Sequence, residues 1–355
     1  MGDAVIDRDR ILGAWQGRIS GCQLGKPVEL LSMREGPAAL TGYLERAEAL
    51  PLRDYVPLIE DTPVARFGRA SCRGMLERSE PDDDINYSVL ALMLLERHGR
   101  ELTTADVARA WLMWLPAGMT FTAERAAYRT LLERAGMAFA HGGEAGFDLA
   151  ECADNEFSDW IGAQIRADVY GWVCPGQPAL AAELAGADAA LSHREDGVYG
   201  AMFVAALGAA IPDAKSLPDA VELALREIPA DSGAAEAVSF GRGLVGARDP
   251  VARMHERYAG LSPVHTLNNL ALVVWGLLNG ADDYSVAVGE TVAAGWDTDC
   301  NGATVGGLWG LSGRPVPAHW TDPWRGRVAV TLAGVGELAL DELVERTLAV
   351  ARRLA

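Results

Sequence analysis

The apolar residues of this chain recur with the spacing of α-helices along almost its whole length, and runs of alternating β-branched residues are nearly absent. Residues 85–97 are apolar on nearly every side, which is typical of a helix buried inside a bundle. Helical spacing also fits residues 104–114, 121–135, 179–191, 199–210, 217–226, 250–258, 266–278, 285–294 and 338–354. The nearest approach to a strand is residues 328–332. The pattern predicts an all-α fold.

No boundary between domains is visible along the chain. Its 355 residues would allow two domains at about 150 residues each. However, no composition shift or Pro/Ser-rich linker divides the sequence, and the proline-containing stretches 51–63 and 314–317 resemble long loops. We therefore expect one helical domain over residues 1–355.

The charge balance excludes some classes of partner. The chain has 31 Lys and Arg against 49 Asp and Glu, a net charge of −18, with no basic stripe. Phosphate backbones and anionic membranes would be repelled by most of such a surface. We expect no nucleic-acid or membrane partner.

The cysteines and the apolar runs indicate the compartment. The five cysteines are scattered and never in C-x-x-C spacing, which argues against a disulfide framework and a structural zinc site. The N-terminus has no stretch typical of a signal peptide, and the apolar runs 198–211 and 267–278 are shorter than the ~18–20 residues of a membrane span. We expect a soluble, cytoplasmic protein.

Three consecutive acids, Asp82, Asp83 and Asp84, stand directly before the predicted helix at 85–97. Acids suit a helix N-terminus, where one carboxylate caps the free backbone N–H groups. One is enough for a cap, and three adjacent carboxylates repel each other unless a positive group lies among them. A helix cap and a cation site both remain open interpretations.

A second acidic pair, Asp297 and Asp299, stands before the small and apolar stretch 303–311. The order D-x-D-x-N-G opens like an EF-hand loop, but the twelfth position is Leu308 instead of the required Glu. If this pair and the run at 82–84 face one cavity, they would form a cluster of oxygen ligands suited to Mg²⁺, Mn²⁺ or Ca²⁺.

Glycines recur at four-residue intervals in residues 13–29, along what is predicted to be a helix. They are Gly13, Gly17, Gly21 and Gly25. This spacing is typical of close helix packing. Glu29 follows the break at Gly25-Lys26-Pro27, where we expect a loop that leaves its carboxylate free to bind a metal.

Two weaker signals lie in the middle of the chain. In residues 160–176, a turn at Gly162 and the cation of Arg166 could hold a diphosphate, although Arg166 could equally pair with a nearby acid on the surface. His193 precedes residues 194–197, which we expect to form a loop. A structural and a functional role both remain open for this histidine.

The order of these segments resembles the ADP-ribosylglycohydrolase family, which includes dinitrogen reductase-activating glycohydrolases and ADP-ribosyl-acceptor hydrolases. The resemblance runs from about Ile11 to the C-terminus. The segments that carry it are GAWQGRISGCQLGKPVE, PDDDINYS, IGAQIRADVYGWVCPG, DAALSHREDGVYG and GWDTDCNGATVGGLWG.

The resemblance implies a compact orthogonal bundle of many helices. It also implies a hydrolase that cleaves the N- or O-glycosidic bond at the anomeric ribose carbon of ADP-ribose attached to an acceptor. The acceptor would be a protein side chain or the leaving group of a small ribosyl nucleotide. The family typically uses two Mg²⁺ ions, and Mn²⁺ could replace them.

The resemblance also assigns site residues. The positions implied for metal binding are Glu29, Asp82, Asp83, Asp84, Asp297 and Asp299. The loop implied to hold the diphosphate contains Gly162, Gln164 and Arg166, and the substrate cleft is implied to include His193, Gly197 and Tyr199. By motif position, Glu29 or Asp299 is expected to be the carboxylate that transfers the proton.

Three positions depart from the usual family pattern. Asp82 and Cys300 each replace a threonine of the acidic motifs, and Cys22 replaces an aspartate of the N-terminal signature. Asp82 could still bind a cation, but Cys300 is a poor ligand for a hard metal. The change at Cys300 supports an alternative, a catalytically silent relative that binds an ADP-ribosyl ligand.

Overall fold

The computed structural model describes residues 7–355, which fold into 18 α-helices with very little strand. The helices are α1 Arg8–Gly25, α2 Glu29–Glu35, α3 Pro37–Arg46, α4 Pro63–Phe67, α5 Asp83–His98, α6 Thr104–Trp114, α7 Thr122–Arg134, α8 Asp168–Trp172, α9 Pro178–Ala189, α10 Glu195–Ala210, α11 Leu217–Ala224, α12 Gly233–Gly243, α13 Pro250–Arg257, α14 Thr266–Asn279, α15 Tyr284–Ala293, α16 Thr298–Gly310, α17 Ala318–Thr321 and α18 Leu340–Leu354. The predicted all-α class is confirmed.

Short 3₁₀ segments and one two-stranded ribbon connect these helices. The 3₁₀ segments are Arg69–Ser71, Gly99–Glu101, Ala117–Met119, Phe139–His141, Leu149–Ala153, Ile161–Arg166, Leu225–Glu227 and Asp322–Trp324. The ribbon pairs β1, Arg327–Val328, with β2, Leu338–Ala339, in antiparallel fashion. The segment Ile161–Arg166 is the one that bears on the candidate site.

The centre of the fold is the antiparallel crossing of α1 and α16, in which small residues let the two backbones touch. A Cβ atom added to Gly13 would lie 2.7 Å from the carbonyl oxygen of Gly310, and the same close approach recurs at Gly17 and Gly21. At the far end of the crossing, Thr298 Oγ1 donates a hydrogen bond to the carbonyl oxygen of Gly25 at 2.9 Å. The crossing therefore holds the end of α1 against the start of α16.

Every residue of α16 is buried, and large aromatic side chains fill the space around it. Trp15 of α1 packs edge-on against Trp172 of α8, with ring centroids 5.0 Å apart. Tyr284 of α15 donates a hydrogen bond through its hydroxyl to the Gly17 carbonyl oxygen at 2.8 Å. These contacts fix the rotation of α1 and α16 relative to their neighbours.

Three boundaries differ from those expected from the sequence. Glu29 is the first residue of α2 and not part of a loop. Helix α10 begins at Glu195, so Gly197 lies in its first turn, where Glu195 and Asp196 suit the positive end of the helix dipole. Residues 338–339 pair with β1, so the last helix starts only at Leu340.

The expected strand at 328–332 is shortened to Arg327–Val328, because the Thr331 N–H donates instead to Asn86 Oδ1 at 2.9 Å. All five cysteines are buried free thiols. Within residues 7–355, no helix combines the length and the apolarity that crossing a bilayer requires.

Candidate functional site

Carboxylates from three helix starts converge at one place in the fold. Glu29, Asp297 and Asp299 each bring an oxygen to within 4.8 Å of the others. Asp84, in the first turn of α5, likewise meets Asp299 and the Cys300 thiol. The acidic run at 82–84 and the pair at 297 and 299, more than 200 residues apart in sequence, thus share one site.

Several of these acids line a cavity of about 590 Å³. Its acidic lining residues include Glu29, Asp83 and Asp297, together with Asp82, and Lys26 lines it too. The lining also includes the apolar side chains of Met119, Phe121, Trp160 and Val264. A cavity of this volume is in the range of small-molecule and cofactor sites, and its mixed lining suits a ligand with both polar and apolar parts.

Burial and mutual repulsion disfavour the ionised form of most of these acids. Burial, followed by the charges of Asp297 and Asp82, raises the pKa of Glu29 to about 8. Burial also raises the pKa values of Asp83, Asp84 and Asp299 well above their ordinary value, and neighbouring carboxylates add to the effect. The cluster therefore favours shared protons or a bound cation.

Two basic side chains neutralise part of the cluster. Arg18 of α1 is fully buried and places Nη2 3.3 Å from Asp84 Oδ1 and Nη1 2.8 Å from Asp168 Oδ2. Lys26 Nζ lies 2.5 Å from Asp82 Oδ2. Because of the Lys26 ammonium, the pKa of Asp82 falls below its ordinary value although burial opposes its ionisation.

The remaining acids fit a divalent cation. In the part of the chain that the structure describes, Glu29, Asp83, Asp297 and Asp299 form no ion pair with a basic side chain. Among these four, Asp297 has a buried oxygen, Oδ1, without a hydrogen-bond partner among the described residues, and so has the neighbouring Asp84, at Oδ2. Unpartnered buried carboxylate oxygens are the ligands that Mg²⁺ and Mn²⁺ prefer.

Arg166, predicted to contact a diphosphate, is enclosed by protein partners. Its Nη1 lies 2.5 Å from Glu124 Oε1, its Nε lies 2.5 Å from Asp188 Oδ1, and its Nη2 donates to Ser192 Oγ at 2.9 Å. Only 2% of the residue is exposed. Nη1 also donates to the Gly162 carbonyl oxygen at 3.1 Å, so Arg166 fixes the backbone of the Ile161–Arg166 segment. Arg166 therefore pairs with acids, but inside the protein and not on the surface as the alternative interpretation expected.

Of the predicted substrate-binding residues, Gly162 lines the cavity and the others do not. Gln164 is fully buried, with neither amide atom hydrogen-bonded within the described chain. His193 is buried too, and its Nδ1 shares a hydrogen bond with Ser192 Oγ at 2.8 Å. Gly197 packs against the His193 ring, and Tyr199 is half-buried on α10.

His193 is placed to support the cavity wall. Its Nε2 has no hydrogen-bond partner in the described residues and lies 3.8 Å from Glu124 Oε1. Burial, helped by the Arg166 charge, lowers the pKa of His193 well below its ordinary value. The imidazole is therefore neutral at physiological pH.

Sequence reasoning missed four side chains that organise the site, Arg18, Lys26, Glu124 and Asp168. Arg18 lies in the glycine-rich segment 13–29, and Asp168 lies in the segment 160–176. A charged residue inside such apolar or glycine-rich helical sequence indicates a buried ion pair, and this signal was available for both. Glu124 lies in an ordinary amphipathic helix, α7, and nothing in its sequence context distinguishes it.

Comparison with known proteins agrees with this fold. A solved structure titled "ADP-ribosylglycohydrolase-related protein complex" superposes with a TM-score of 0.58 at 18% identity, over 98% of this chain and 99% of that one. At this identity the likeness shows the fold alone. No curated protein matches the sequence. The profile described as ADP-ribosylglycohydrolase matches residues 3–353, and the chain belongs to that family.

Proposed function

We propose that this protein is a divalent-metal-dependent hydrolase that cleaves the glycosidic bond between ADP-ribose, or a related ribosyl nucleotide, and an acceptor. The observation that carries the proposal is the convergence of Glu29, Asp297 and Asp299 beside a cavity of about 590 Å³, two of the three acids lining it. Family membership supports the reaction class.

Cleavage at the anomeric carbon passes through an oxocarbenium-like state, which needs a carboxylate to transfer a proton and a fixed ribose. A divalent cation held by these acids would supply a Lewis acid beside the sugar. Glu29 faces the cavity, whereas Asp299 is only 2% exposed and does not line it. Of the two predicted proton-transferring groups, Glu29 is therefore the better placed, and its carboxyl oxygen would hold the proton that is transferred.

The Ile161–Arg166 segment is proposed to hold the phosphates through its backbone at Gly162, which lines the cavity. Arg166 would act through this backbone, since its guanidinium already binds Glu124 and Asp188. Gln164, His193, Gly197 and Tyr199, in or behind this wall, remain proposed substrate-binding residues. Their contacts with a ligand would require the wall to move.

Both acceptor classes are retained in this proposal, a modified protein side chain and a small ribosyl nucleotide. The free state of all five cysteines is consistent with action in the cytoplasm, which we propose as the location.

The test is release of ADP-ribose by the purified full chain, measured by chromatography with mass detection. The substrates are an ADP-ribosyl-arginine peptide, an ADP-ribosyl-serine peptide and a small N-ribosyl nucleotide, each with Mg²⁺ or Mn²⁺ and with EDTA as the control. We expect metal-dependent release from at least one substrate. Release that is unchanged by EDTA contradicts the metal-dependent mechanism.

Cys300 favours a second candidate function, a silent relative that binds an ADP-ribosyl ligand without cleaving it. Its thiol stands among the acids and lines the cavity. Calorimetry with ADP-ribose and Mg²⁺, alongside the turnover assay, separates the two candidates. Binding without turnover favours the silent relative, and turnover excludes it.

A further inference from the structure

Both carboxylate oxygens of Asp82 are already occupied by protein donors. Oδ1 accepts a hydrogen bond from the Asp84 N–H at 3.0 Å, as the N-cap of α5. Oδ2 accepts one from Lys26 Nζ at 2.5 Å. Asp82 is 3% exposed, so both oxygens of this buried carboxylate are already hydrogen-bonded to protein groups, and one of them is bonded to a cation.

Lys26 is held where it is by the backbone as well as by Asp82. It caps the C-terminus of α1, and its N–H donates to the Cys22 carbonyl oxygen at 2.9 Å. The C-terminal end of a helix carries partial negative charge and stabilises a cation beside it. A fixed ammonium group therefore lies at the edge of the acid cluster.

Among residues 7–355, the acids offer one group of ligands made entirely of oxygen. That group is Glu29, Asp297 and Asp299, and it includes the unpartnered Asp297 Oδ1, a buried atom of a residue that is 4% exposed. The two other groups of potential ligand atoms each include a thiol, Cys300 in one and Cys22 in the other. Sulfur is a poor ligand for Mg²⁺ and Mn²⁺.

We infer that this site binds a single divalent ion, on Glu29, Asp297 and Asp299, and that the Lys26 ammonium group on Asp82 takes the place of a second cation. The inference rests on the metal site of the proposed function and deepens it. On this arrangement Asp82 balances the charge of Lys26 and caps α5, and it is not a metal ligand.

The test counts Mn²⁺ ions per chain. The full-length protein, stripped with EDTA and desalted, is titrated with Mn²⁺ while free Mn²⁺ is followed by electron paramagnetic resonance. We expect one ion per wild-type chain. Lys26→Met removes the ammonium but keeps the side-chain length, and we expect it to bind two, because Asp82 Oδ2 becomes free. Lys26→Arg keeps the charge, and we expect it to bind one.

Two ions on the wild-type chain, or one on a folded Lys26→Met chain, would overturn the inference. Two ions on the wild type would leave the proposed function intact, whereas no Mn²⁺ on the wild type would remove the basis of both. Asp82→Asn provides a second measurement if Lys26→Met does not fold. We expect it to keep one ion with affinity lowered by no more than about 100-fold, the usual effect of a change beside a metal site, and loss of the ion would show that Asp82 is a ligand.

Discussion

Gly17 of α1 and Gly306 of α16 meet backbone to backbone, so that a Cβ atom on either one would overlap the carbonyl oxygen of the other. This crossing continues to Gly25, shortly before Glu29, and to Thr298, which lies between Asp297 and Asp299. Its close approach is what places Glu29, a short turn beyond α1, beside Asp297 and Asp299. The geometry of the site therefore depends on residues that carry no functional group.

Replacing Gly17 with Ala should destabilise the protein by about 3 kcal/mol or more, because the obstructing atoms are backbone and cannot rotate away. Urea unfolding followed by circular dichroism measures the effect. Gly42→Ala is the matched control. Gly42 lies inside α3 with no atom near its Cβ position, so this change should stabilise the protein by about 0.5–1 kcal/mol. Equal effects of the two changes would contradict the close packing.

Replacing Arg18 with Met should destabilise the protein by about 3–5 kcal/mol, since it leaves the buried carboxylates of Asp84 and Asp168 without their cation. Urea unfolding again gives the free energy. Arg8→Ala is the control, because Arg8 pairs with Asp341 and Glu345 at an exposed position and its loss should leave the transition unchanged. A neutral result for Arg18→Met would mean that these carboxyl groups are protonated in the folded state.

Mg²⁺ or Mn²⁺ should raise the midpoint temperature of thermal unfolding of the EDTA-treated protein, because the cation binds only the folded cluster. At a free cation concentration 100 times the dissociation constant, such binding stabilises the folded state by about 2.7 kcal/mol. Differential scanning fluorimetry measures the shift. Asp297→Asn should abolish it, and Asp282→Asn, at an exposed pair with Arg314, should retain it. An equal shift in all three proteins would place the ion outside the cluster.

The helices could be predicted because their apolar spacing is a local property, as in the segment that became α5. The glycine interval likewise predicted close packing, although not the partner helix, since the contact of Gly17 with Gly306 joins positions almost 290 residues apart. The start of α2 at Glu29 was missed, and so was the start of α10 at Glu195. Local sequence does not fix such boundaries when tertiary packing decides them.

The acidic motifs were recognised because adjacent carboxylates are improbable without a compensating charge. What compensates them was not predictable, since the Arg18 and Lys26 contacts depend on the packing of α1 beside the start of α5. Arg166 is a second residue whose partners could not be predicted from the sequence. Its charge suggested a phosphate contact, but the fold surrounds it with Glu124 and Asp188, which lie 42 and 22 residues away in sequence.

Replacing Glu29 with Gln should lower the rate of ADP-ribose release by about 10²–10⁴-fold, the usual contribution of a positioned proton-transferring group. The amide keeps the size of the side chain and one oxygen, so Mn²⁺ should still bind. Glu35→Gln is the matched control, because Glu35 lies exposed at the end of the same helix, α2, and should release product at the wild-type rate. Steady-state kinetics at saturating Mn²⁺ separates the rate from metal affinity. If Glu29→Gln retains nearly full turnover while Asp299→Asn does not, the proton-transferring role belongs to Asp299, and Glu29 serves only to hold the metal.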